Sequence, residues 1–256
     1  MRPVFYFVLF LFFVSCSSSD SIRIVSDSFP ENDVWVGDWF GIVENAVDLS
    51  DSLSVNNSDE NRFLIRLDRL LADSIKTKPD LERITAGWAE MKVFVEEFRS
   101  GGFSSLDKEL ATKWFSLNLK LLNVTGEAVF ADEIEKLLHA PGAGLLIGKE
   151  LLRQFVFTKM NDQIYINLFV ESSAHYEHTT GGPVRITQET NYPNGGHVNI
   201  RFESGDKRFV ELFIRIPFNV QQASVIVGGV KYKAVPGEYC RVAKMWKTGD
   251  VVEILL

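Results

Sequence analysis

The spacing of apolar residues changes three times along this chain. Val4 to Val14 is an unbroken apolar run, followed from Ser17 to about Asn32 by Ser, Asp, Pro and Glu around the short stretch Ile22-Arg23-Ile24-Val25. Between about Asp33 and Gln154 the period is helical, with apolar residues three and four apart. Phe63, Leu64, Leu67, Leu70, Leu71 and Ile75 form one stripe, and Leu81, Ile84, Trp88, Met91, Val95 and Phe98 a second. Leu106, Leu110, Trp114, Leu117 and Leu121 make a third, and Phe130, Ile134, Leu137 and Leu138 a fourth. Gly101-Gly102, Thr125-Gly126 and Pro141-Gly142 fall between or beside these stripes, where helices are expected to stop. From Phe155 the period becomes two: Ile164 to Val170, Val184 to Thr187, His197 to Phe202 and Arg208 to Ile216 are β-rich runs separated by Gly, Pro, Asn and Asp. Val225-Ile226-Val227 and Val230-Lys231-Tyr232 flank Gly228-Gly229, a two-residue hairpin signal because both glycines tolerate positive φ. The pattern predicts an α+β multidomain chain: side-by-side helices over 33–154, exit strands and a linking loop over 155–183, and an antiparallel β-sandwich over 184–256.

The opening run is too short to span a bilayer as a permanent helix, which takes about 20 residues. Preceded by Arg2 and followed by Ser15-Cys16, it has the layout of a signal peptide over 1–15. Phe13-Val14-Ser15-Cys16 resembles the lipobox of bacterial lipoproteins, with Phe where leucine is commoner. The resemblance implies an acylated Cys16, a flexible tether over 16–32 and a lipid anchor in the bacterial cell envelope. Ser17, rather than Asp, after the cysteine implies the outer membrane.

Composition narrows the partners. With 27 basic against 34 acidic residues, a formal charge of −7 and no basic run longer than two, nucleic acid is not an expected partner. Cys240 is the only cysteine besides Cys16, so an acylated Cys16 leaves no intrachain disulfide and stability must come from a core. Cys240 lies in an alternating run and reads as a small buried hydrophobe.

Four segments carry a family resemblance: Glu189-Thr190-Asn191-Tyr192-Pro193-Asn194-Gly195-Gly196, Phe213-Ile214-Arg215-Ile216-Pro217, Gly237-Glu238-Tyr239, and Trp246-Lys247-Thr248-Gly249-Asp250 with the strand after it. In this order they resemble the β-sandwich of glycoside hydrolase family 127, the β-L-arabinofuranosidase type. Trp114 to Glu127, with Phe130 to Glu135, is similar to late helices of that family's catalytic domain, and Gln163 to Phe169 to the strand leading out of it. The resemblance implies that the helical part is a remnant of an (α/α)6 barrel, most of which is missing. Catalysis in the family implies a cysteine nucleophile held on zinc by further cysteines and a glutamate; thiolate suits both tasks. Aligned on Trp114, the Glu-x-Cys pattern falls on Asp107 and Glu109, and Ala140-Pro141-Gly142-Ala143 replaces the Cys-Cys-Pro-Pro segment. No thiol stands at either place, so neither the family zinc nor the family mechanism is expected.

The remaining candidates each have a plainer reading. Asp107, in Ser104-x-x-Asp107, reads as a helix cap, and Glu109, four residues before Lys113, as half of an exposed ion pair. Together they are the only candidates for a carboxylate glycosidase mechanism, which needs an acid of raised pKa at a set distance from its partner. His175-Tyr176-Glu177-His178 could ligate a metal but reads as a polar linking loop; His139 reads as a helix C-terminal cap. Trp88, Trp114 and Trp246 read as core, whereas Trp35 and Trp39 are the candidates for stacking on a sugar. The expected function is therefore an anchored, non-catalytic family relative that binds glycan or an envelope protein. The alternatives are a working glycosidase on arabinose-containing or other plant glycans and a gene remnant. A shortened barrel would also favour self-association through uncovered helix faces.

Overall fold

The computed structural model describes residues 22, 25–30, 33–36, 57–100, 108–139 and 147–256. Five helices stand among them: α1 (Asn57–Ala72), α2 (Lys78–Ser100), α3 (Lys108–Thr125), α4 (Ala128–Leu138) and α5 (Lys149–Val156). The stripes bury as their spacing requires: Phe63, Leu67 and Leu70 of α1, Ile84, Trp88, Met91 and Val95 of α2, and Leu110, Trp114, Leu117 and Leu121 of α3. Trp88 and Trp114 lie parallel at 6.2 Å, and the edge of Phe130 meets Trp88 at 4.9 Å. Trp88 Nε1 donates to Asn118 Oδ1 at 2.8 Å, and Asn118 Nδ2 donates to the Trp114 carbonyl, so the buried polar atoms are paired. A capping box opens α2. The Thr77 N–H donates to Asp80 Oδ2 at 3.0 Å, the Asp80 N–H to Thr77 Oγ1 at 3.3 Å, and the hydrogen bond from the Thr77 side chain leads the effects holding the Asp80 carboxyl low.

The strands form two sheets. One has the order β1 (Asp27–Ser28), β3 (Phe157–Met160), β4 (Gln163–Ile166), β8 (Arg208–Arg215), β11 (Tyr239–Trp246). The other runs β10 (Val230–Tyr232), β9 (Ser224–Val227), β12 (Val251–Leu255), β7 (His197–Ser204), β6 (Pro183–Thr190), β5 (Ser172–Glu177), β2 (Val34–Val36). Alternation does what it predicts: Val184 and Ile186, Val198, Ile200 and Phe202, Val225 and Val227, and Val252 and Ile254 are buried while the residues between them are not. Gly228 and Gly229, at φ +54° and +81°, close the hairpin between β9 and β10, with Val227 opposite Val230.

Several expectations need correction. Residues 25–30 are not tether. The N–H groups of Val25 and Ser26 donate to the Asn123 carbonyl at 2.9 and 2.8 Å, Asp27–Ser28 pairs with Thr158–Lys159, and Phe29 is buried against Phe157 and Tyr176. Polar composition misled there because a two-residue edge strand needs only its backbone. The stretch 33–154 is not uniformly helical, since Val34–Val36 pairs with Ser172–Ala174 and supplies the outer strand of the larger sheet. The boundary at residue 184 dissolves: β3 and β4 belong to one sheet and β5 to the other. The linking loop expected at His175 to His178 is mostly strand, β5 ending at Glu177. Finally, β4 and β8 run parallel, with Gln163 opposite Glu211 and Ile166 opposite Ile214, in an otherwise antiparallel pair of sheets.

Candidate functional site

Helix α4 was expected to be amphipathic, yet Asp132, Glu133 and Glu135 are buried along with its apolar stripe. Glu133 pairs with Lys92 at 3.2 Å and Lys136 at 2.6 Å, whereas Asp132 and Glu135 are held by Arg215, at the end of β8 and on the strand face opposite Val210, Leu212 and Ile214; Arg215 is itself fully buried. Its guanidinium forks onto α4, Nη1 donating to Asp132 Oδ1 and Nη2 to Glu135 Oε2 at 2.7 Å, while Nε donates to the Asn167 carbonyl at 2.5 Å. Tyr239 donates its hydroxyl proton to Asn167 Oδ1, which ties β11 to the same cluster. Burial pushes the Asp132 carboxyl up and the Arg215 charge only partly offsets this. Glu135 goes the other way. Burial alone would raise it, but the Arg215 charge, together with the nearby His139 imidazole, outweighs that and brings it to about 2.

A cleft opens at each end of α4. The one at its C-terminal end, about 500 Å³, is lined by Glu135, Lys136 and His139 of the helix and by Tyr192, Pro193, Phe218 and Asn219 of the sandwich loops. Glu135 Oε1 makes no close hydrogen bond: His139 Nε2 stands 3.6 Å away, and the Tyr192 hydroxyl is the other group turned toward it. Burial, then the Glu135 charge, keep that phenol protonated. Phe218 is 51% exposed and carries Lys136 Nζ over its ring at 4.3 Å. The cleft at the N-terminal end, about 510 Å³, is walled by Val25, Tyr165, Phe213 and Tyr239, with Glu127 and Glu238 among its polar residues. Tyr165 and Phe213 stack at 4.5 Å on the neighbouring strands β4 and β8. Gly126, at φ +68°, lets the chain turn beneath Val25; a Cβ there would meet Val25 Cγ1 at 2.8 Å.

Of the residues singled out in the sequence, Cys16, Trp39 and Asp107 lie outside the described residues, as do the signal segment and 140–146. Trp35 is 52% exposed on β2, paired with Ser173, and lines neither cleft. Glu109 is exposed and pairs with Lys113 at 2.6 Å, and Lys113 also reaches Asp68 on α1. The tryptophans 88, 114 and 246 are buried. His178 is buried in the turn after β5, one ring nitrogen 2.9 Å from Thr180 Oγ1 and the other 3.0 Å from the Phe209 carbonyl oxygen. His175 is exposed on β5, so the two imidazoles do not converge. Cys240 is buried opposite Ile214, and burial pushes its thiol up to about 11. Among the described residues no three His, Cys, Asp or Glu side chains gather to hold a metal, and the one thiol there is sealed in the sandwich.

The clefts and Arg215 were missed in the sequence. The available signals were an arginine inside the apolar run Phe213-Ile214-Arg215-Ile216 and two carboxylates three apart in the apolar α4.

Residues 163–256 match the family model described as Beta-L-arabinofuranosidase, GH127 middle domain, and the chain is related to glycoside hydrolase family 127 through this β-rich part. Three solved structures share the fold. One, named as a glycoside hydrolase, superposes with a TM-score of 0.53 at 21% identity, over 58% of this chain and 32% of that one. A GH127 β-L-arabinofuranosidase from Geobacillus stearothermophilus T6 gives 0.52 at 18%, over 58% and 31%. A further GH127 β-arabinofuranosidase gives 0.51 at 20%, over 58% and 32%. The match therefore spans about one third of the length of these relatives. No curated protein matches the chain.

Proposed function

We propose that this chain is a non-catalytic, lipid-anchored relative of the family 127 glycosidases, whose helices are what remains of an (α/α)6 barrel and whose α4 C-terminal cleft binds glycan. The observation that carries the reading is the content of that cleft. An exposed aromatic ring, Phe218, stands beside a carboxylate, Glu135, an imidazole, His139, and a phenol, Tyr192. A furanose or pyranose offers an apolar face to a ring and hydroxyls to such groups. The same cleft is poorly equipped for hydrolysis. A carboxyl general acid must hold a proton near neutral pH, whereas Glu135, the carboxylate lining this cleft among the described residues, is held at about 2, and Asp132, though raised by burial, is engaged by Arg215 and does not line it. Cys16 as the point of acylation, with the outer membrane as the location, completes the reading.

Isothermal titration with arabinose-containing oligosaccharides tests it. Binding is expected, weakened about tenfold in Phe218→Ala, which corresponds to roughly 1.4 kcal/mol of lost ring contact. Zero heat with a folded protein sinks the glycan reading. Release of sugar from aryl glycosides by the pure protein, abolished on changing Glu135, would replace it with a carboxylate glycosidase.

A further inference from the structure

The described part of the chain begins at Ile22, whose N–H donates to the Lys76 carbonyl at 2.8 Å, in the turn joining α1 to α2. Five residues lie between Cys16 and this point of attachment, and the six steps from Cys16 to Ile22 span at most roughly 20 Å when fully extended. An acylated Cys16 would therefore hold the α1–α2 turn close to the membrane surface. Beside that turn, between the two helices, runs a groove of about 580 Å³. Arg62, Arg66 and Arg69 line it from one face of α1, spaced four and three apart, and Arg83 lines it from α2. Among the described residues two carboxylates line it with them: Glu90, which pairs with Arg66, and Asp73, which pairs with Arg83. Arg83 also stands 3.9 Å from Asp80, while Arg69 has no ionic or hydrogen-bond partner among the described residues. The described lining thus presents four guanidiniums, Arg69 uncompensated among them, in a chain whose net charge is −7. Ile65, 61% exposed, projects among these arginines.

We propose that this groove seats the phosphate headgroups of anionic phospholipids in the membrane to which Cys16 is attached. A guanidinium presents paired N–H donors that match phosphate oxygens, and it stays charged at any physiological pH. Ile65 is placed to enter the interfacial layer beside the headgroups, as apolar side chains of surface-bound helices do. The position of the groove rests on the anchoring reading; its chemistry does not.

The chain from Ser17 onward keeps every described residue and carries no lipid, so it isolates the groove from the anchor. It is sedimented at low salt with vesicles of phosphatidylcholine alone and of phosphatidylcholine mixed three to one with phosphatidylglycerol. Binding is expected to the anionic vesicles only, weakened about fivefold in Arg69→Gln and further in Arg69→Glu, because each cation near such a surface contributes attraction of about that size. Phe218→Ala is expected to bind vesicles like the parent. Equal binding to both vesicles, or undiminished binding by a folded Arg69→Glu, overturns the proposal. Binding of inorganic phosphate in the groove without vesicle binding overturns the lipid assignment in favour of a free phosphate. The mass of the N-terminal peptide of protein extracted from membranes reports the anchor separately. An unmodified Cys16 with anionic-vesicle binding intact refutes the anchor and supports the groove; an acylated Cys16 without that binding refutes the groove.

Discussion

Replacing Arg215 with methionine keeps much of the side-chain volume and removes the one cation that α4 shares with the sandwich. Asp132 would then lie buried with no positive partner and Glu135 with only the His139 imidazole beside it, and the Asn167 carbonyl would lose a donor. Breaking a buried ion cluster from one side costs about 3 to 5 kcal/mol, mostly because the abandoned charges stay desolvated. Against a total stability of about 5 to 15 kcal/mol for an ordinary domain, that is a large fraction. Urea unfolding at pH 7, followed by far-ultraviolet circular dichroism, should show the midpoint shifting by that amount with little change in slope. Replacing all three residues together, with leucine at 132 and 135, should lose far less, since well-packed apolar substitutes are often as stable as a buried ion cluster. The pH dependence supplies a second check. In the parent protein Glu135, brought to about 2, stabilises the fold fully above its ordinary range near 4.5, and the contribution drains away as the pH falls from there through about 2. Asp132, pushed up by burial, has the opposite sign: its cost is present at neutral pH and is relieved as the pH falls through its raised value. Without Arg215 both carboxyls should take up protons more readily, so the deficit of Arg215→Met should narrow on acidification. A loss below about 1 kcal/mol at pH 7, or a deficit that widens in acid, would refute the account of α4 as a helix pinned by charge.

Other outcomes follow from the same contacts. Asn118→Leu should cost about 1 to 3 kcal/mol by leaving Trp88 Nε1 without its buried acceptor, seen as a lowered urea midpoint and altered tryptophan emission. Cys240 should stay unmodified by a thiol reagent at pH 8 in the native protein and react at once in urea, because burial keeps it protonated and covered; fast native reaction would contradict its placement. Asp80→Ala should lower stability by about 1 kcal/mol through loss of half the α2 capping box, and Thr77→Ala combined with it should lower it further, because the N–H of residue 80 then also loses its Thr77 Oγ1 acceptor, measured as a double-mutant cycle.

How much of this was legible in the sequence differs by element. The helices α1 to α4 announced themselves by spacing, because each buries a stripe against its neighbours. The helix α5 did not: eight residues give too few turns for a period to register. Gly228-Gly229 and the alternating strands β6, β7 and β12 were readable because one face of each is dry. The boundary at 184 failed because sheet membership depends on pairing between distant strands, such as β4 with β8, and no local period encodes a partner. Arg215 was hidden for a related reason. Alternation places it on the outer face of β8, where a charged residue is ordinary, and nothing nearby tells that α4 covers that face. The cleft at the end of α4 is assembled from residues 135–139, 192–193 and 218–219, three segments with no shared motif. The chemistry sought in Asp107, Glu109 and the Trp35–Trp39 segment followed linear neighbourhood, whereas the clefts at the two ends of α4 gather residues far apart in the chain.

The pairing of β1 and β2 has a kinetic side. Asp27 meets Lys159 and Val34 meets Ala174, so the first two strands find partners only after well over a hundred further residues have been made. Contacts of such separation carry a large loop-closure cost and are late events in folding. Until they form, β3 and β5 present open sheet edges, the kind of surface on which one chain pairs with another. The segment that completes both sheets is made before the strands it pairs with. Anything that detains its N-terminus therefore prolongs the interval in which those edges stand open, and the yield of monomeric protein should depend on how quickly residues 25–36 are released to close them.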